Sequence, residues 1–404
     1  LNVVESKSKN DLGELSDLSV VVHGGHPPAE PQIGYPGSGF MHTSTFQLPY
    51  VDDLTPASYN EKNEDYGRQG HPYSQVLEDQ VAALEHARYV TVYGSGMAAI
   101  TAICATLASG DLILAEQNTY GSTVRLWRDV LEKFGVRVKY LDFTDPESIE
   151  AILAEKPRMV WIESPTNPLL KIIDIRRVAD FAHRAKSTLV VDNSFASSLL
   201  QKPLDLGADI SVVSLTKYGE GHCSAMGGAA CTNIEDWGKK LLFQRKAIGL
   251  HLPPDEAERI SQGLKTIALR MEKHSTNALA VARYLEKSKS VRWVRYPFLE
   301  SHPQQVIALK QMSAGSGIVT VEFDLPAASM QQFMRNLYPL FKKTHSLGGV
   351  ACSVSLPGTM SHASLSEEQR QAMHITPTTV RFSIGIEPLE DIIAQIEFAL
   401  KRVN

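Results

Sequence analysis

Leu189-Val190-Val191-Asp192-Asn193 and, in the next apolar run, Val212-Val213-Ser214-Leu215-Thr216-Lys217-Tyr218 decide how this chain is read. Each is an apolar run short enough for a buried strand, and each ends in reactive side chains. In open α/β sheets, ligands bind outside the carboxyl ends of the strands. Asp192, Ser214, Thr216 and Lys217 therefore stand where a ligand is expected. Taken singly, a strand-end aspartate is more often a helix cap or loop residue, and a lysine after a strand is a solvated charge. The second alternative is weak for Lys217, which lies between an apolar strand and the small-residue segment Gly219 to Gly228.

Together the four residues carry a specific chemistry. A lysine near a cationic or desolvating site loses proton affinity and becomes nucleophilic. Two hydroxyls beside it can donate to a phosphate. A carboxylate can keep a pyridine nitrogen protonated, so that the ring absorbs carbanion charge. The set predicts pyridoxal 5'-phosphate, joined to Lys217 as a Schiff base, with Asp192 at the ring nitrogen.

Working outward, short apolar runs alternate with amphipathic stretches such as Ile175–Ala185. The runs are Val90–Tyr93, Leu112–Ala115, Val136–Leu141, Met159–Ile162, Thr188–Val191 and Ile210–Val213. This alternation predicts an α/β, doubly wound and mainly parallel sheet. After Pro253 the pattern changes. Helix-rich sequence from Glu256 to Lys287 leads to an alternating strand, Ile318–Leu325, with Val319, Val321 and Phe323 on one face. A last strand, Val380–Ile386, precedes a helix with Leu389, Ile392, Ile393, Ile396 and Leu400 at helical spacing. The expected division is an N-terminal arm over 1–65, a cofactor-binding α/β domain over 66–253, and a smaller α+β domain over 254–404.

Gly94-Ser95-Gly96-Met97-Ala98-Ala99 follows a strand and opens a helix, a place where backbone amides bind phosphate. The same spacing fits a dinucleotide fingerprint, and Glu116 stands where a ribose-binding acid belongs. Nicotinamide or flavin binding is thus a second reading of this turn, and an unliganded strand–helix turn a third. The Asp–Ser–Thr–Lys set, for which a dehydrogenase has no use, makes the dinucleotide reading the minor one.

The composition is that of an ordinary soluble protein: 404 residues, 43% hydrophobic, 21% charged, formal net charge −5. That balance gives no electrostatic reason to expect nucleic acid or an anionic membrane. No apolar run reaches the roughly 18 residues needed to span a bilayer. The polar stretch from Leu1 to Leu18 has no apolar signal-like core. Cys104, Cys223, Cys231 and Cys352 show no paired spacing, so free thiols in a reducing cytoplasm are expected. No metal-binding histidine pattern is visible; His222 has no second ligand at helical spacing.

Further segments join these in order along most of the chain. They are Thr43-Ser44-Thr45-Phe46, Tyr66-Gly67-Arg68, Ser95 to Ala99, Tyr120-Gly121-Ser122-Thr123 and Glu163-Ser164-Pro165-Thr166-Asn167-Pro168. Then follow Val191-Asp192-Asn193, Ser214 to Tyr218, Ser346-Leu347-Gly348-Gly349 and Val380-Arg381-Phe382-Ser383-Ile384-Gly385. With them the chain resembles the Cys/Met-metabolism family of pyridoxal-phosphate enzymes, the cystathionine γ-lyase, cystathionine γ-synthase and methionine γ-lyase type. The resemblance implies a fold-type I enzyme assembled as a homotetramer of two active-site-sharing dimers. By position, Gly96, Met97, Ser214 and Thr216 would hold the cofactor phosphate, with Tyr66 and Arg68 added from the neighbouring subunit. Tyr120 would stack on the ring and serve as an acid–base group. Arg381, with Asn167 and Ser346, would bind the substrate α-carboxylate, a task suited to a bidentate guanidinium.

Three departures from the family pattern bear on specificity. His71-Pro72-Tyr73 replaces the usual Asn-Pro-Thr. Ala351-Cys352 stands where γ-lyases usually carry Glu-Ser, which removes a partner for a distal ammonium such as that of cystathionine. Ser122 stands where methionine γ-lyases have a cysteine. The expected activity is elimination of a Cγ substituent from a homocysteine- or homoserine-type L-amino acid. The alternatives are γ-replacement on an O-acyl-homoserine or a homoserine derivative with a non-thiol leaving group such as canavanine, and, from another class, a non-catalytic binding protein.

Overall fold

The computed structural model describes residues 16–23, 43–45, 66–360, 367, 370 and 373–403. Most of the expected arm over 1–65 lies outside the described residues. The chain divides into two units, each drawn from two stretches: 1–108 with 202–267, and 109–201 with 268–404.

The first unit is built on three strands in the order Tyr89–Tyr93, Gly228–Thr232, Ile210–Val213, all antiparallel. The middle strand was not expected from the sequence. Gly228-Ala229-Ala230-Cys231-Thr232 is poor in β-branched residues; burial on both faces selects it instead, since strand preference follows packing more than the backbone. Helix Pro72–Glu85 starts on a proline at its first position, and helix Gly96–Cys104 is capped by Ser95, the two commonest ways to begin a helix. Arg245, from helix Glu235–Ile248, is buried against Glu78 at 2.6 Å and donates to the Gln69 carbonyl at 3.1 Å. Glu78 also accepts from the Val92 amide at 3.0 Å, so one ion pair ties two helices to a strand and to the segment after Arg68.

The second unit contains two sheets. In the first, four parallel strands run in the order Thr188–Asp192, Met159–Glu163, Leu112–Glu116, Arg137–Leu141. Helices Gly121–Asp129, Pro146–Glu155 and Ile175–Arg184 alternate with them in sequence, since parallel neighbours need a crossover connection. The expected strand ends agree to within a residue. The register places Glu163 beside Asp192, so two acids share one end of the parallel strands.

The other sheet has five strands in the order Lys342–Lys343, Ser353–Ser355, Thr379–Ser383, Ile318–Phe323, Val291–Arg295. Its core joins Val319, Val321 and Phe323 to Ile392, Ile396 and Leu400 of helix Leu389–Leu400 and to Val281 and Leu285. The strand Ile318–Phe323 was expected to bury one face, but all six residues are buried. The physical reason is that its polar face is satisfied internally. Thr320 donates to the Pro168 carbonyl at 2.5 Å, and Glu322 accepts from the hydroxyls of Thr376, Thr378 and Thr379. Buried polar groups persist when their hydrogen bonds are made. The last strand is shorter than expected and ends at Ser383.

Candidate active site

In the first unit, three segments meet at backbone contact. Ser95 Oγ accepts from the Ala98 amide at 3.0 Å and fixes the start of helix Gly96–Cys104. A Cβ on Gly96 would lie 2.9 Å from Ser214 Cβ, and one on Gly228 would lie 2.4 Å from the Ser95 carbonyl oxygen. Glycine is thus needed where the helix start, the end of strand Ile210–Val213 and the next strand converge. Amides at a helix start carry the positive end of the dipole and suit an anion. Thr216 Oγ1 accepts from the Gly227 amide at 3.0 Å and lies 3.1 Å from the Gly227 carbonyl. The Lys217 amide donates to the Ser214 carbonyl at 3.2 Å, so the chain turns as soon as the strand ends. Lys217 is half-buried rather than a solvated surface charge. Gly228→Ala has no side chain to push aside, only backbone. We expect it to lower stability by about 1–3 kcal/mol and to weaken phosphate retention, both measurable by thermal unfolding with and without cofactor.

Tyr66 and Arg68 are exposed, with the guanidinium 5.4 Å from the tyrosine ring and donating to the Lys246 carbonyl at 2.6 Å. His71, one of the departures from the family pattern, is buried as the cap of helix Pro72–Glu85; its Nδ1 accepts from the Tyr73 amide at 3.2 Å. An asparagine does the same work at a helix start, so this exchange preserves a structural bond.

In the second unit, Asp192 closes its strand nearly buried, and its Oδ1 accepts from the Ser194 amide at 3.0 Å. Beside it, Glu163 is buried and accepts from the Tyr120 amide at 2.5 Å. Burial, and after it the charge of Asp192, push the Glu163 carboxyl well above the usual range. Tyr120 precedes helix Gly121–Asp129 with its ring partly exposed.

Arg381 is only 3% exposed. Its Nη1 donates to Asn167 Oδ1 at 3.0 Å and its Nη2 to the Ser346 carbonyl at 3.3 Å. The structure therefore brings together Arg381, Asn167 and Ser346, the last through its backbone carbonyl. The loop after Ser346 is held from behind. Glu387 accepts from the Cys352 amide at 2.7 Å and from its thiol at 3.3 Å, and the Gly385 amide donates to Cys352 Sγ at 3.1 Å. Burial pushes the Cys352 thiol up, so it is a packing residue, while the neighbouring Ala351 is exposed.

Glu116 does not fit the role of a ribose-binding acid. It is fully buried and accepts from the amides of Asn118 and Phe143 at 3.1 and 2.9 Å. Burial pushes its carboxyl up to about 7, opposed by the charge of Lys171. Sequence reasoning missed two functional candidates, Glu163 and Glu387. The signal that picked out Asp192, an acid closing an apolar strand, was equally present at Glu163. Among the described residues no group of three or more His, Cys, Asp or Glu could hold a metal ion, and no helix is long and apolar enough to cross a membrane.

The first unit thus sets a helix start against the strand-end Ser214 with a half-buried lysine after it, and the second closes a parallel strand with an acid. The Cys/Met metabolism PLP-dependent enzyme pattern matches residues 19–401, and the chain belongs to that family and is an enzyme dependent on pyridoxal phosphate. It is 40% identical to a cystathionine γ-lyase of Dictyostelium discoideum over 338 residues, covering 84% of this chain and 87% of that one. It is 38% identical to a cystathionine β-lyase of Lactococcus lactis subsp. cremoris, over 84% and 89% of the two chains. A cystathionine γ-synthase of Xanthomonas oryzae, solved with aminoacrylate and cysteine, superposes with a TM-score of 0.91 at 31% identity, over 96% and 98%. The fold-type I class expected from the sequence is thereby established.

Proposed function

We propose that this enzyme is a lyase that eliminates a Cγ substituent from an L-amino acid, with Lys217 as the base and Arg381 as the carboxylate anchor. The observation that carries the reading is the buried Arg381, held by Asn167 and the Ser346 carbonyl. A buried guanidinium in a fixed orientation matches a planar carboxylate, the group shared by every amino-acid substrate. The cofactor fits the residues present: the Gly96 helix start, Met97, Ser214 and Thr216 would hold its phosphate, Asp192 its ring nitrogen and Tyr120 its face. When bound, it supplies an electron sink for the charge left at the substrate α-carbon.

The Lys217 amine removes the Cα proton and then a Cβ proton, whose bonding pair expels the γ substituent as the Tyr120 hydroxyl donates a proton to it. Exposed Ala351 offers no charge to a distal ammonium, which favours substrates whose leaving group is not cationic. The similarity to a γ-synthase supports γ-replacement as the second reading, in which a thiol captures the unsaturated product of elimination. The intact Asp192, Lys217 and Arg381 speak against a non-catalytic binding protein. The proposal extends to a cytoplasmic homotetramer in which Tyr66 and Arg68 complete a neighbour's phosphate site, and to an arm over 1–65, a cofactor domain over 66–253 and a C-terminal domain over 254–404.

Incubation of cofactor-loaded enzyme with a panel of γ-substituted homoserines, with and without added thiol, tests the reaction class by mass spectrometry. Release of 2-oxobutanoate regardless of thiol is the expected result. A γ-thioether formed only with thiol would establish replacement. Reaction of β-substituted cysteines alone would move the enzyme to β-elimination.

A further inference from the structure

Glu163 takes no part in the reaction proposed above, yet it touches much of the machinery that does. It closes the strand next to Asp192, with the two residues paired in register. It is 4% exposed. It accepts from the Tyr120 amide at 2.5 Å, across 43 residues of sequence, and the nearby Asn167 amide favours its charged form. Asn167 in turn receives a hydrogen bond from Arg381. Resting on the pyridoxal-phosphate reading, we propose that Glu163 is a positioning residue that fixes the ring-stacking Tyr120 to the strand end carrying Asp192 and braces the turn that carries Asn167.

The geometry also sets how one negative charge is shared. Two carboxyls on neighbouring strand ends, both nearly out of water, cannot readily ionise together. Burial and the charges of Asp192 and Glu116 press Glu163 toward its protonated form, against the amides of Tyr120 and Asn167. What the site uses of Glu163 is its acceptor oxygen, which a glutamine also provides.

The test uses cofactor-loaded wild type, Glu163→Gln and Glu163→Ala, read by the cofactor dissociation constant, the circular dichroism of the cofactor band, and kcat with its pH profile. Wild type is measured first: failure to bind pyridoxal phosphate would sink the functional reading, whereas a normal band leaves the variants to judge Glu163 alone. Glu163→Gln should stay within about threefold of wild type in all readouts, because it keeps a neutral acceptor, with an unchanged pH profile. Glu163→Ala should bind cofactor about tenfold more weakly, as loss of one charge-free hydrogen bond in a buried site implies. Its dichroic band should fall by half or more, and its kcat about 100-fold, the cost of a misplaced group. If the alanine variant does not fold, Glu163→Met, which keeps the volume and removes the acceptor, carries the same expectation. A truncated variant that matches wild type in all three readouts, or a glutamine variant as impaired as alanine, would overturn the inference.

Discussion

Lys217→Ala should lose about 10⁴-fold or more in turnover while keeping its fold and its affinity for the cofactor phosphate. The magnitude follows from two duties falling on one amine, covalent attachment of the cofactor and removal of protons from Cα and Cβ. The retained affinity follows from the local structure, since Ser214, Thr216 and the Gly96 helix start owe their positions to backbone contacts. None of these contacts uses the lysine side chain. Lys217→Arg should not restore activity, because a guanidinium keeps its proton at any working pH. Steady-state kinetics with cofactor titration on both variants provides the check. Turnover by Lys217→Ala within tenfold of wild type would show that another base does the work.

Acid should destabilise the protein through two buried histidines. His302 Nε2 donates to the Leu170 carbonyl at 3.0 Å while its Nδ1 accepts from the Gln304 amide at 3.1 Å. His274 Nδ1 donates to the Ile384 carbonyl at 2.7 Å. Burial holds both near 4, with Arg295 near His302 and Arg270 near His274 acting the same way and the carbonyls, with Glu387 near His274, opposing. Their folded values lie below the ordinary histidine value of 6.5, so the unfolded chain takes up protons first as pH falls. The stabilisation is therefore complete above pH 6.5 and is lost as pH falls toward 4, roughly 3 kcal/mol for each histidine. Glu116, raised to about 7, has the opposite sign: its contribution is complete below about 4.5 and is lost as pH rises through 7. A comparison with His302→Gln isolates the histidine. The variant should be less stable at pH 7.5, and its thermal midpoint should approach that of the parent as pH falls to 4.5. Parallel curves would contradict this account. Protonation falls on His302 Nδ1, so the Gln304 amide loses its acceptor while the donation to the Leu170 carbonyl is kept.

The parallel strands were legible because Val, Ile and Leu fill them and because reactive residues stand at their ends. Asp192 and Lys217 could be read for the same reason: a charge closing an apolar strand is costly unless it is used. The strand Gly228–Thr232 was not legible, since Gly228 answers to the closeness of Ser95 and Gly96 and the rest of the strand to burial rather than to any strand preference of its own. Arg381 could be assigned a role only through the family resemblance; its burial and its bond to Asn167, 214 residues away in sequence, are products of the fold. Glu116 misleads for a related reason. Its position in the sequence suits a ribose, and only its enclosure by the Asn118 and Phe143 amides reveals a structural acid.

The central claim is that Lys217 holds pyridoxal phosphate covalently, and reduction with borohydride followed by peptide mapping tests it most directly. The loaded protein should absorb at the violet edge of the visible, and reduction should bleach that band. Proteolysis should then yield one modified peptide, carrying the cofactor mass on Lys217. Attachment to a different lysine, or a colourless protein whose thermal midpoint moves with NAD and not with pyridoxal phosphate, would contradict the account.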